Sequence, residues 1–155
     1  MIKKVHIYDL DGTIICSLHR YRTLPCGYKI DLAHWRKNEH KAMLDSLLPL
    51  AEQYKADIKN PEIFVIIATS RAMGKLDYTF ITKKLGIPDY IISRRGNWDK
   101  RRAFDLKAQG IINILYMRNL LDKPKFFWED NKEVCDKVAA AINGIGCYVP
   151  SKQGH

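Results

Sequence analysis

Lys4-Val5-His6-Ile7-Tyr8-Asp9-Leu10-Asp11-Gly12-Thr13 is the stretch on which the reading of this chain turns. Its apolar run, carried by Val5, Ile7 and Tyr8, stops at two carboxylates one residue apart and a glycine that permits a sharp turn. A buried strand delivering acids to the edge of a sheet has this form. A turn beginning at Asp9 folds both carboxylates toward one cavity. Like charges held that close repel, so the pair needs a cation or a shared proton.

Four further segments read as strands. Residues 63–68, Ile-Phe-Val-Ile-Ile-Ala, form a continuous run of the kind found in a central parallel strand, and they end at Thr69-Ser70-Arg71. Residues 90–93 make a short strand, residues 125–128 a strand ending at Glu129-Asp130-Asn131, and residues 147–149 a closing strand. Helical patterns lie between them. One runs from Pro49 to about Asp57, with Ser46 as its N-cap. A second spans residues 72–85 and is closed by Gly86. A third starts near Asp99, capped by Asp99 or Asn97, is weakened by Gly110 and continues its apolar face through Ile111, Leu115 and Leu120. A fourth follows Asn131 with Val134, Val138 and Ala141 inward. Residues 32–44 suggest a short helix, and residues 14–34, with no sustained period, a flap beside the site. Alternating strands and helices without hairpin turns call for an α/β fold, a three-layer sandwich around a five-stranded parallel, Rossmann-like sheet in a single domain, 1–155. In such a sheet the site lies at the carboxyl ends of the strands, where the polar groups named here fall.

Composition narrows the class. The hydrophobic fraction of 46% and charged fraction of 28% describe an ordinary globule, and no apolar run approaches a bilayer span. The N-terminal apolar stretch is too short and too acidic for a signal peptide, so the expected compartment is the cytoplasm. Cys16, Cys26, Cys135 and Cys147 have no metal-site spacing and read as reduced thiols. A formal net charge of +9 favours polyanionic partners.

Asp-x-Asp-Gly-Thr after a hydrophobic strand resembles the first motif of the haloacid dehalogenase (HAD) superfamily. The resemblance implies that Asp9 is a nucleophile toward phosphorus and Asp11 the acid and base that protonates the leaving oxygen and then deprotonates water. Dehalogenases of the superfamily lack the second Asp and transport ATPases replace it, whereas phosphatases and phosphomutases keep it. Thr69, at the tip of the second strand, resembles the second motif, its hydroxyl and backbone N–H placed to donate to a phosphoryl oxygen. Thr69-Ser70-Arg71 resembles the Ser/Thr-Gly-Arg of polynucleotide kinase/phosphatases, with Ser70 in place of Gly and Arg71 as a phosphate contact. The third motif needs a lysine at a helix start; position favours Lys100, with Lys107 as its competitor. Glu129 and Asp130 resemble the acidic fourth motif, which with Asp9 and the backbone carbonyl of Asp11 implies a Mg²⁺ site.

These features lead to an expected Mg²⁺-dependent phosphomonoesterase without a large cap. An open site and a basic stretch from Arg94 to Arg102 with Trp98 inside it favour a nucleic-acid end carrying a 3′-phosphate, since cations track phosphates and an aromatic ring stacks a base. The rival substrates are mononucleotides, as for a 5′(3′)-nucleotidase, and small sugar phosphates. A nonenzymatic rival is a basic nucleic-acid-binding module on the same scaffold.

Overall fold

A computed structural model describes residues 1–20 and 32–151. In chain order its strands are β1 (Lys4–Tyr8), β2 (Ile15–Cys16), β3 (Ser46–Leu47), β4 (Ile63–Ala68), β5 (Tyr90–Ile92), β6 (Lys125–Glu129) and β7 (Ile145–Tyr148). Its helices are α1 (Leu32–Lys37), α2 (Ala51–Ile58), α3 (Lys75–Phe80), α4 (Ala103–Met117) and α5 (Lys132–Ile142). Five strands form one parallel sheet in the order β5-β4-β1-β6-β7, while β2 and β3 pair antiparallel in a small separate ribbon. The expected α/β sandwich is therefore the observed fold.

Because side chains alternate across a strand, the apolar runs feed two cores. Val5, Ile7, Phe64, Ile66 and Phe127 face Leu106, Ile111 and Leu115 of α4 and Val138 and Ile142 of α5. Tyr8, Val65 and Ile67 face the other way, toward Ala51 and Tyr54 of α2 and Phe80 of α3. All six residues of β4 are buried, which explains why that strand reads as a continuous apolar run. A polar knot ties β1 to α2 within the second core. Asp57 accepts from the Tyr8 hydroxyl at 2.5 Å and pairs with His6 Nδ1 at 2.6 Å. Burial, with the nearby carboxylate adding to it, pushes the Tyr8 phenol well above its usual pKa.

The chain leaves β1 for β4 on one side and reaches β6 on the other, so the order reverses about β1. Tyr8 pairs with Ile67 across one edge of β1 and with Trp128 across the other. Asp9, Thr69 and Glu129 thus emerge at neighbouring strand ends, the place where an open α/β sheet forms its crevice.

Several local expectations need correction. Ser46 does not cap α2; it lies exposed in β3, and Leu50 occupies the N-cap position without a side-chain cap. The helix expected across 72–85 begins at Lys75 and ends in a wider π turn, Ile81–Leu85, closed by Gly86 at φ +98°. Gly110 does not split α4, which runs unbroken through it. A β-carbon there would come within 2.7 Å of the Ile92 side chain, so the glycine lets α4 approach β5. In α5, Val138 is buried, but Ala141 is exposed and Cys135, Ala139 and Ile142 complete the inner face. Of the expected 14–34 flap, Ile15–Cys16 form β2, Leu18–Arg20 a 3₁₀ turn and Leu32 opens α1; residues 21–31 lie outside the described residues. Residues 32–44 divide into α1 and a 3₁₀ turn, Glu39–Leu44.

Candidate active site

The turn after β1 is built by its own backbone. The Leu10 carbonyl accepts from the N–H groups of Ile14 and Ile15, each at 3.1 Å, and Gly12 donates to the Ile15 carbonyl at 2.8 Å. Gly12 sits at φ +84°, and a β-carbon there would collide with Asp130 Oδ2. The Asp-Gly pair therefore meets a double demand: a left-handed backbone and room for the carboxylate that follows β6.

Asp9 lies at the centre. Its Oδ2 accepts from the Thr13 hydroxyl at 2.9 Å and its Oδ1 from Lys107 Nζ at 2.8 Å. Lys107 also donates to Glu129 Oε1 at 2.5 Å and is only 2% exposed. Burial works against its ammonium, but Asp9 and Glu129 outweigh it and leave its pKa above the ordinary lysine value.

Of the two lysines the sequence offered, the structure brings Lys107 and not Lys100 to these acids. Lys100 is exposed. The physical reason is the helix start: Asp99 does not cap α4, which begins at Ala103 with Arg102 at its N-cap, so one turn later it is Lys107 that faces the strand ends. Asp99 is instead the anchor of a loop. It accepts from Arg101 Nη2 at 2.7 Å and from the Arg95 N–H at 3.3 Å, and the Arg101 guanidinium holds its carboxyl below the usual range.

Asp11 accepts from Ser17 Oγ at 3.1 Å and from Arg71 Nε at 2.6 Å. Arg71 forms a second ion pair with Asp77 at 3.0 Å and lies over the Trp35 ring, 4.9 Å from its centroid. In this state Arg71 holds carboxylates rather than standing free for a phosphate. Asp77 also caps the Gly74 N–H at 2.8 Å, so α3 shares the same arginine. Thr69 is buried at the tip of β4. Its backbone N–H, expected to face a phosphoryl group, is donated to the Ile92 carbonyl at 2.9 Å, which leaves the hydroxyl as the available donor. The Ser70 carbonyl accepts from Arg94 Nε at 2.7 Å.

Glu129 ends β6 and Asp130 follows it directly. Burial, then the negative charge of Asp9, raises the Glu129 carboxyl well above its usual value and pushes Asp130 up to about 7. Both Glu129 oxygens have N–H donors, Lys107 on one and Asn131 N–H at 3.2 Å on the other. Asp130 Oδ2 takes the Ser151 hydroxyl at 2.9 Å, but its buried Oδ1 has no hydrogen-bonding partner. Asp9, Glu129 and Asp130 offer carboxylate oxygens all within 4.8 Å of one another. A hard divalent cation fits this donor set: three crowded carboxylates, one buried oxygen unsatisfied, and a single lysine as counter-charge.

Sequence reasoning did not name Thr13, Ser17, Asp77 or Ser151 as supports of these acids. Thr13 was within the quoted motif; Ser17 and Ser151 come from loops and Asp77 from the first turn of α3, and only tertiary packing brings them to the acids. The chain folds like HAD domains in solved structures. It superposes on a chain of the Pnkp1/Rnl/Hen1 RNA repair complex with a TM-score of 0.66 at 22% identity, over 97% of this chain and 43% of that one. It superposes on the HAD domain of effector protein Lem4 from Legionella pneumophila with a TM-score of 0.67 at 11% identity, over 99% and 88%. In sequence, the 5′-deoxynucleotidase of Escherichia phage T5 is 37% identical over 89 residues, 54% of this chain. The chain spans about a third of that relative's length, since the match covers 36% of it. The family profile described as bacteriophage T5 5′-deoxynucleotidase matches residues 1–132. With this match over most of its length, on a fold shared with HAD domains, the chain belongs to the bacteriophage T5 5′-deoxynucleotidase family.

Proposed function

We propose that this chain is a Mg²⁺-dependent phosphomonoesterase whose substrate is a nucleotide phosphate. The observation that carries the reading is the buried Lys107 bridging Asp9 and Glu129, with the unsatisfied Asp130 oxygen beside them. Such a cluster is costly to bury without a task, because removing charges from water outweighs much of their mutual attraction. Asp9, Asp130, the Asp11 backbone carbonyl and Glu129 would hold Mg²⁺; of these, Asp130 has the oxygen most in need of a partner. When bound, the cation supplies positive charge opposite the phosphoryl oxygens.

In the first half-reaction an Asp9 carboxylate oxygen bonds to phosphorus as the ester P–O bond breaks, and Asp11 gives its proton to the departing alkoxide. In the second, water attacks phosphorus, Asp11 takes its proton, and the Asp9–phosphorus bond breaks to release phosphate. Lys107 steadies Asp9 through both steps, and the Thr69 hydroxyl donates to a phosphoryl oxygen. Ser70 and Arg71 border the same position, with Arg71 leaving Asp11 for the phosphoryl group as substrate enters.

Family membership favours a deoxynucleoside 5′-monophosphate. A second reading, a nucleic-acid end bearing a 3′-phosphate, is supported by the net charge of +9. Purified protein assayed with and without Mg²⁺ on a deoxynucleoside 5′-monophosphate and on a 3′-phosphorylated oligonucleotide separates the two. Asp9→Asn abolishes turnover of either, and Asp11→Asn lowers it by about 10²-fold or more. Unchanged Mg²⁺-dependent activity in Asp9→Asn refutes the nucleophile.

A further inference from the structure

The loop between β5 and α4 is rigidly built yet presents its largest side chain to solvent. Arg94 is its strut. From Nε it donates to the Ser70 carbonyl at 2.7 Å, and from Nη1 to the carbonyls of Asp99 and Arg101, each at 2.7 Å. Asp99 closes the loop through Arg101 and the Arg95 N–H. A guanidinium and a carboxylate are thus spent on holding residues 94–101 against the residue next to Thr69. Two of the cations that the sequence offered for phosphate binding, Arg94 and Arg101, are committed to this scaffold.

Trp98 stands on that scaffold 69% exposed. Its indole is seated against Gly96: a β-carbon at Gly96 would come 3.0 Å from Trp98 Nε1 and 3.2 Å from its Cδ1. The glycine makes room for one edge of the ring and leaves the remainder to solvent. Arg95, Lys100 and Arg102, its neighbours in the sequence, are exposed as well. An indole 69% exposed leaves most of its apolar surface in water, so one seated on a braced loop between exposed cationic residues in the sequence has the chemistry of a stacking platform for an anionic aromatic ligand.

We propose that Trp98 is the base-stacking residue of the site, receiving the nucleobase of the nucleotide whose phosphate lies at Asp9. The proposal rests on the reading of the site as a nucleotide phosphatase and names the part of the substrate that lies beyond the phosphate. Stacking on a ring face tolerates every base, so selectivity would be for the presence of a base rather than for its identity.

The test compares dTMP with 2-deoxyribose 5-phosphate, which has the same phosphoester and no base. In the native chain the KM for dTMP should be about 10-fold or more below that for the sugar phosphate. Trp98→Ala should bring the two values together with kcat preserved, and Trp98→Phe should restore most of the difference. An unchanged ratio in Trp98→Ala overturns the proposal while leaving the phosphatase reading intact. Binding is also read without turnover, in Asp9→Asn protein, by quenching of tryptophan fluorescence with dTMP. Quenching that disappears in the Asp9→Asn, Trp98→Phe double variant supports the platform; quenching that persists there, or none in Asp9→Asn, refutes it.

Discussion

Lys107→Met tests the centre of the structure in the most direct way. The methionine nearly matches lysine in length but removes the only cation that touches both Asp9 and Glu129 among the described residues. Three carboxylates whose oxygens lie within 4.8 Å of one another are then left without their counter-charge. Removing one partner of a buried ion pair costs about 3–5 kcal/mol. For a chain of this size 1 kcal/mol shifts Tm by about 2–4 °C, so metal-free Lys107→Met should melt about 10 °C below the native protein. Added Mg²⁺ should recover more of the Tm in the variant than it adds to the native chain, because it restores positive charge to the same acids. Activity should not recover with it: loss of a fixed charge beside Asp9, the proposed nucleophile, costs on the order of 10²–10³ in kcat. Lys100→Met is the matched control. That side chain is exposed, so its replacement should change stability by no more than about 0.5 kcal/mol and leave the proposed phosphatase turnover near native. Thermal melting with and without Mg²⁺, paired with turnover of p-nitrophenyl phosphate, decides between the two lysines. A Lys107→Met protein with native Tm and native kcat, or a Lys100→Met protein that carries the loss, refutes the reasoning.

Asp130→Ala removes the buried oxygen that lacks a partner, so the Mg²⁺ concentration for half-maximal activity should rise by at least 10-fold, measured by metal titration after EDTA treatment; activity indifferent to EDTA would remove the cation from the mechanism. Gly110→Ala should lower stability despite a gain of about 1 kcal/mol in helix propensity, because the new methyl meets Ile92 at 2.7 Å; a higher melting temperature would show that β5 yields easily.

Much of this protein is readable one residue after another. The three central strands and the polar groups that end them follow from apolar runs stopped by Asp9, Thr69 and Glu129, because a strand flanked on both sides within a covered sheet needs a largely apolar sequence and polar groups gather where it surfaces. Gly12 and Gly86 announce their turns for the same local reason: both sit at positive φ. The lysine is different. Lys100 and Lys107 lie on either side of the start of α4, and their ranking depends on where that helix begins, which Arg94 and Asp99 decide by closing the preceding loop. Arg71 poses the same problem, since its partners Asp11 and Asp77 come from positions far apart in the chain and only packing of α3 against the site brings them together. The Thr69 N–H is spent on β5, a sheet bond that depends on strand order. Local pattern determined the strands, their turns and the acids at their ends. Which cation sits on which acid was decided by tertiary structure, because a charge tens of residues away finds its partner only when helix starts and strand order set the distance between them.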